Sequence, residues 1–509
     1  MWIADQGDGT YRNPILYTDY SDPDVIRVGS DFFLVASSFC NTPSVPLLHS
    51  GDLANWKVIN YVMDKLPFER YEQPVHGCGA WAPSIRYHDG VYYVFVPMPD
   101  EGILMCKTAD PWGEWSQPIF VRKVVGWIDP CPFWDDDGKA YMVTAFARSR
   151  IGFKSFLYLS PMEPDCSAVL GDGRFIFDGH TTQPTIEGPK LYKRNGYYYI
   201  FAPAGGVRDG WQTVLRSRNI YGPYEEKIVL HQGNSSVNGP HQGAWVDTPA
   251  GEDWFLHFQD VGNAGRILHL QPMHWEDDWP VIGVNAVDGC GEPVERYVKP
   301  NVGAVDAVHL VESPEESDFF EGKYLGLQWQ WNGNYKKSWY DLKNGQLILY
   351  AVGVRPRMPL CNVSNLLLQK WPAPEFRITT CFHLENMAEG DVTGMVSLGG
   401  SYTGLLIHKE NGKLTLCQRS GNWDRDDEVC EFLGEVEGDI FYLCMKVEKE
   451  MFVSFEAGYS EEQFEVVGRR ITAAPGRWVG VKAGLVAMNE EGENGGSVAV
   501  DYFVFEPLD

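Results

Sequence analysis

The chain has 509 residues, 44% of them hydrophobic, with 69 acidic against 42 basic side chains and a net charge of -27. That length exceeds one ordinary core and predicts two domains, and the acidic balance without a Lys/Arg cluster excludes a nucleic-acid partner, whose phosphates it would repel. No apolar run reaches the roughly 18 residues a membrane-spanning helix needs, and neither end reads as a secretory leader. The eleven cysteines are odd in number and lack CxxC spacing, and several lie in apolar strands such as FYLCMKV around Cys444. They read as free buried thiols, so a cytoplasmic location is expected.

Residues 1 to 17 form a lead-in whose aromatic and apolar residues can close against a later element. A repeating unit then begins. Its aromatic strands carry Phe32, Tyr92, Tyr141, Tyr198 and Phe255, at intervals of 60, 49, 57 and 57 residues. Ten to fourteen residues ahead of each stands a marker: Asp22 in SDPDV, Trp81 in AWAPS, Asp129 in IDPCPF, Glu187 in IEGPK and His241 in PHQGAW. Sheet-forming units of this period cannot bury both faces alone, and radial stacking makes a propeller. Five units predict five blades over residues 1–305. The aromatic strands read as core between blades. WDDDGK at 134–139 reads as a charged hairpin turn, because a calcium loop of the EF-hand type spreads its ligands over about twelve residues.

From 288 the repeat lapses into a turn-rich and acidic crossing near 300–322. Residues 323–509 then read as short alternating strands such as YTGLLIHKE and GSVAVDYFVFEP, which predict an all-β sandwich. The whole chain is therefore expected to be all-β, a five-bladed β-propeller followed by a C-terminal β-sandwich.

In a propeller, markers at one phase of the repeat face one another at the channel. Taken singly, each acid reads as a turn residue, Asp-Pro and Gly-Pro being ordinary turn signals. Their recurrence singles out Asp22, Asp129 and Glu187 as a set. Glycosyl transfer to water needs one carboxylic acid to protonate the leaving oxygen and one carboxylate to activate water, and a third acid nearby can keep the donor protonated. Trp81 and Trp127 are placed either to stack on a sugar ring or to fill the core between blades. A lone His241 is no metal site by itself.

At these residues the sequence resembles glycoside hydrolase family 43, through SDPDVIRVGSDFF, WAPSIRYHDGVYYVF, WIDPCPFWDDDGKAY, IEGPKLYKRNGYYYI, PHQGAW and GRILHLQPMHW. LGLQWQWNGN at 325–334 resembles the opening of the sandwich of two-domain members. The resemblance implies an inverting hydrolase with Asp22 as general base, Glu187 as general acid and Asp129 as the acid that tunes the donor. It implies that Arg266 contacts substrate, that Phe39 and Trp81 line the sugar pocket, and that His241 helps organise a hydrated calcium ion in the channel, no cofactor being required for the chemistry. Two motifs depart from the pattern, CNTPSVP after Phe39 and PHQG where a GHG is usual. The expected substrate is an oligosaccharide cut from its non-reducing end, xylose from β-1,4-xylo-oligosaccharides first, with α-L-arabinofuranosides as alternative or second substrates. A non-catalytic sugar-binding propeller would not need all three acids. The sequence is compatible with either a monomer or a homo-oligomer.

Overall fold

The computed structural model describes residues 1–303, 311–425 and 427–508. Five sheets follow one another, each beginning at one of the sequence units with four antiparallel strands, and two further strands, Cys290–Glu292 and Val284–Val287, extend the fourth sheet to six. Their innermost strands are Asp24–Val28, Ser84–His88, Trp127–Trp134, Lys190–Arg194 and His241–Asp247. The fifth packs back on the first, which closes the ring.

The aromatic strands explain the stacking. Side chains on a strand alternate between faces, so each blade serves two interfaces with neighbouring residues. Phe32 joins the core shared with the fifth blade, and Phe33 joins the core shared with the second. Tyr92 and Tyr93 divide in the same way between the first and third blades. Tyr141 is buried between the third and fourth blades, Tyr198 packs on that cluster half-buried, and Phe255 sits at 0% exposure between the fourth and fifth. The charged WDDDGK segment is a hairpin turn, closed by the Asp135 amide on the Lys139 carbonyl at 2.8 Å.

The lead-in ties the ring shut. Thr10–Arg12 pairs with Arg296–Val298, the Ile15 amide donates to the Leu268 carbonyl at 2.7 Å, and the Tyr11 hydroxyl donates to the Leu270 carbonyl. Burying these backbone groups without partners would cost roughly 1–3 kcal/mol each.

The C-terminal part is a sandwich of an eight-stranded and a seven-stranded sheet. The expected end of the propeller at 305 lies outside the described residues. The sandwich is joined ahead of 323: Asp318 pairs with Phe503, and Phe320 is buried in the sandwich core. The acidic composition around these residues hides that contact in the sequence. Arg148–Ile151 is the one α-helix among the described residues, a single turn.

The LGLQWQWNGN segment stitches the two parts together. Trp331 and Thr42 exchange backbone hydrogen bonds, Gln330 donates to the Pro43 carbonyl, and the Asn334 amide group bonds both the amide and the carbonyl of Leu66. The sandwich is thereby fixed over the mouth of the propeller where the markers lie.

Candidate active site

Asp22 and Asp129 each precede a proline and each adopt positive φ, 55° and 54°. Non-glycine residues pay for this conformation, and such departures concentrate at functional sites. Phe39 does the same at 51°. It is held by paired backbone bonds to Ala80, beside Gly79, where an added Cβ would lie 2.2 Å from the Phe39 carbonyl oxygen. Only glycine admits that approach.

Three donors converge on the Asp22 carboxyl group. Arg266 Nη1 lies 2.6 Å from Oδ1, and the hydroxyls of Ser37 and Ser21 donate to Oδ2 at 2.7 and 2.9 Å. Arg266 is itself buried and sits over the Phe258 ring. This is a fixed, fully solvated-by-protein carboxylate with little freedom to turn.

Glu187 stands opposite in chemical character. Its side chain remains 27% exposed, and its one hydrogen-bond partner among the described residues is His241, whose Nε2 lies 2.9 Å from Oε1. Asp129 links to it through the next residue: the Gly188 amide donates to Asp129 Oδ2 at 2.8 Å. Gly188 has φ 58°, and an added Cβ would meet Gln242 at 2.8 Å, so glycine is required for this link. Burial, then the neighbouring Glu187 carboxylate, push the Asp129 carboxyl up to about 7.

All three acids line one cavity of about 270 Å³, together with Phe39, Trp81, Ile128, Gln242 and Arg266. That volume suits a single sugar ring. Trp81 is braced by Arg150, whose guanidinium lies 4.9 Å from its ring centroid, and by Trp478, at 4.8 Å and 71°. Trp127 does not belong to the lining. Strand alternation gives the cavity wall to Ile128 and turns Trp127 the other way, edge-on to Phe146 and Tyr158.

The sequence reading did not single out Trp478, Phe146, Arg148, Lys154 or Gln242, which also line the cavity. Trp478 comes from the sandwich. Its loop is docked by the Gly480 amide on Asp19 Oδ2 at 2.9 Å and the Val481 amide on the Asn263 carbonyl at 2.8 Å. The sandwich therefore supplies one wall of the pocket.

His241 can be tested as a metal ligand. If its Nε2 donates to Glu187, Nδ1 carries the lone pair, and Nδ1 is buried without a hydrogen-bond partner among the described residues. Among those residues no trio of ligand atoms converges there. A calcium ion there would have to take its oxygen ligands from water, His241 offering one protein nitrogen.

Comparison with known proteins agrees with this geometry. The family model for glycosyl hydrolases family 43 matches residues 11–280, and that for the beta xylosidase C-terminal concanavalin A-like domain matches 317–506. A Xylanibacter ruminicola protein provisionally named a beta-xylosidase is 39% identical over 498 residues, 95% of this chain and 87% of its own. The non-reducing end alpha-L-arabinofuranosidase BoGH43B of Bacteroides ovatus is 27% identical, over 100% of this chain and 97% of its own. The crystal structure of the GH43 protein BlXynB from Bacillus licheniformis superposes with a TM-score of 0.83 at 26% identity, covering 98% of this chain and all of that one.

Proposed function

Since the chain belongs to glycoside hydrolase family 43 and is a hydrolase of glycosidic bonds, we propose that it is an inverting exo-β-xylosidase releasing xylose from the non-reducing end of β-1,4-xylo-oligosaccharides. The observation that carries this reading is the single-ring cavity, lined by all three acids and walled by Trp478 of the sandwich. A walled pocket accepts a chain end, whereas an open groove would accept its middle.

Asp22 acts as the general base. Arg266 on one oxygen and two serine hydroxyls on the other fix its orientation toward the water that attacks the anomeric carbon. Glu187 acts as the general acid, and its partial exposure leaves it accessible to the glycosidic oxygen. Asp129, bonded to the Gly188 amide next in the chain to Glu187, positions the acid. Trp81 and Phe39 face the ring and exclude water, which strengthens the charge interactions inside. Catalysis then requires that the proton move from Glu187 to the leaving oxygen as Asp22 takes one from water.

The second reading is an α-L-arabinofuranosidase. The Bacteroides ovatus relative favours it, and a pentofuranose ring fits the same cavity volume. A panel of 4-nitrophenyl β-D-xyloside, 4-nitrophenyl α-L-arabinofuranoside and defined arabinoxylan oligosaccharides separates the two. The expected result is a kcat/KM at least about tenfold higher for the xyloside, about 1.4 kcal/mol of transition-state preference. Proton NMR should detect α-xylose as the first product from the β-linked substrate, and a first-formed β-anomer would rule out Asp22 as base.

We also propose a calcium ion in the channel, held largely by waters with His241 helping to organise it, which would add positive charge near the acids when bound. His241→Ala should lower metal content by elemental analysis and also weaken activity, because the Glu187 contact is lost. Full activity of the variant with unchanged metal content would contradict both roles. The unpaired thiols, most of them buried, support action in a reducing compartment.

A further inference from the structure

The sandwich carries a cluster of metal-ligating side chains that the glycosidase chemistry does not use. Strands Ser401–Glu410, Lys413–Asn422 and Val429–Val436 lie side by side in the eight-stranded sheet. Leu406 is opposite Cys417 and His408 is opposite Thr415, so His408 is the diagonal neighbour of Cys417. Cys417 is opposite Phe432 and Arg419 is opposite Cys430, which makes Cys430 its diagonal neighbour on the other side. Leu405 and Ile407 enter the core between the two sheets, whereas Leu406 and Cys417 belong to the cluster on the outer face. His408, Cys417 and Cys430 therefore form a line across three strands on that outer face.

We propose that His408, Cys417 and Cys430 bind a thiophilic divalent ion of the zinc class. Cys417 Sγ lies 3.0 Å from His408 Nε2, and the three ligand atoms all fall within 4.8 Å of one another. Zn–S bonds of about 2.3 Å and Zn–N bonds of about 2.0 Å in a tetrahedron separate ligand atoms by roughly 3.5–3.8 Å, so modest side-chain movement suffices. Two thiols and an imidazole are the donor set that selects such an ion over calcium or magnesium. Cys430 is exposed and opens the fourth position to water.

The surroundings complete the arrangement. His408 Nδ1 faces Glu490 Oε2 at 4.0 Å, and Arg419 holds the same oxygen at 2.7 Å. A carboxylate behind the second ring nitrogen is the usual means of orienting a metal-binding histidine. Glu490 Oε1 is buried with no hydrogen-bond partner among the described residues. Arg419 also faces Glu428 at 3.8 Å, so with both thiolates formed the two glutamates and Arg419 would leave three net negative charges, and a divalent ion reduces that to one. The other His/Cys/Asp group in the sandwich, Cys381, His383 and Asp501, is already satisfied: His383 Nε2 contacts both oxygens of Asp501, and Gln346 donates to one of them.

The test is titration of the phosphine-reduced full-length protein with Co²⁺, followed by displacement with Zn²⁺. One equivalent should bind with thiolate-to-cobalt charge-transfer absorption and tetrahedral d–d bands, and Zn²⁺ should abolish both. Cys430→Ser, at an exposed position that tolerates substitution, should weaken binding about a hundredfold or more. His408→Ala should remove the signal too, with glycosidase activity serving as the check that the chain is folded. Cys381→Ser should leave the titration unchanged. Failure to bind an equivalent at micromolar ion, an affinity unchanged by Cys430→Ser, or loss of the signal on Cys381→Ser would each overturn the proposal.

Discussion

Replacing Glu187 with Ala is expected to divide substrates by their leaving groups. Xylobiose, whose sugar hydroxyl leaves only when protonated, should lose about 10²–10⁴-fold in kcat, the usual worth of a positioned general acid. A 2,4-dinitrophenyl xyloside needs little protonation and should keep most of its rate. Asp22→Ala should instead depress both substrates by a similarly large factor, since both require the same activated water. The contrast follows from where the two groups sit. Asp22 is enclosed by Arg266, Ser21 and Ser37 and serves the water side, whereas Glu187 is partly open and, among the described residues, is bonded to His241 alone. Kinetics of the two variants on the two substrates check the assignment, and an equal loss on both substrates for Glu187→Ala would defeat it.

The repeat made the propeller legible, because a blade needs the same aromatic strand and the same inward turn each time it recurs. Phe32, Tyr92, Tyr141 and Phe255 were identifiable as core for this reason, and all four are buried. Asp22, Asp129 and Glu187 shared a phase and so were found together. Trp127 sat two residues from Asp129 and was equally placed for either role; which face it takes depends on strand alternation past a bulge between Ile128 and Cys131. Trp478 was out of reach for a different reason. It stands in GRWVG, more than two hundred residues from any other cavity residue, and the docking of Gly480 on Asp19 and of Val481 on Asn263 brings it there. Contacts between domains leave no periodic signal. Gln242 shows the same limit on a smaller scale, since its nomination requires knowing that Gly188 leaves room for it.

Asp129→Asn is expected to stabilise the protein at alkaline pH while removing most of its activity. In the folded chain the carboxyl group titrates at about 7, raised chiefly by burial and secondly by Glu187, against an ordinary value of 3.8. A raised carboxylate favours folding only while protonated. Its contribution is fully present below pH 3.8 and is lost as pH rises through 7, where the buried group must ionise. The asparagine does not titrate, and its side-chain oxygen can still accept from the Gly188 amide. At pH 8 the variant should therefore exceed the wild type by up to about 4 kcal/mol, three units at 1.36 kcal/mol each. Near pH 4 the gap should nearly vanish. Thermal unfolding of both proteins across this range measures the difference, and a gap independent of pH would mean that Asp129 does not carry the proton. The accompanying loss of activity follows from the cavity itself: Asp129 is one of the three acids that line it, and the asparagine leaves a neutral amide beside Glu187 in place of a group that can take up and release a proton.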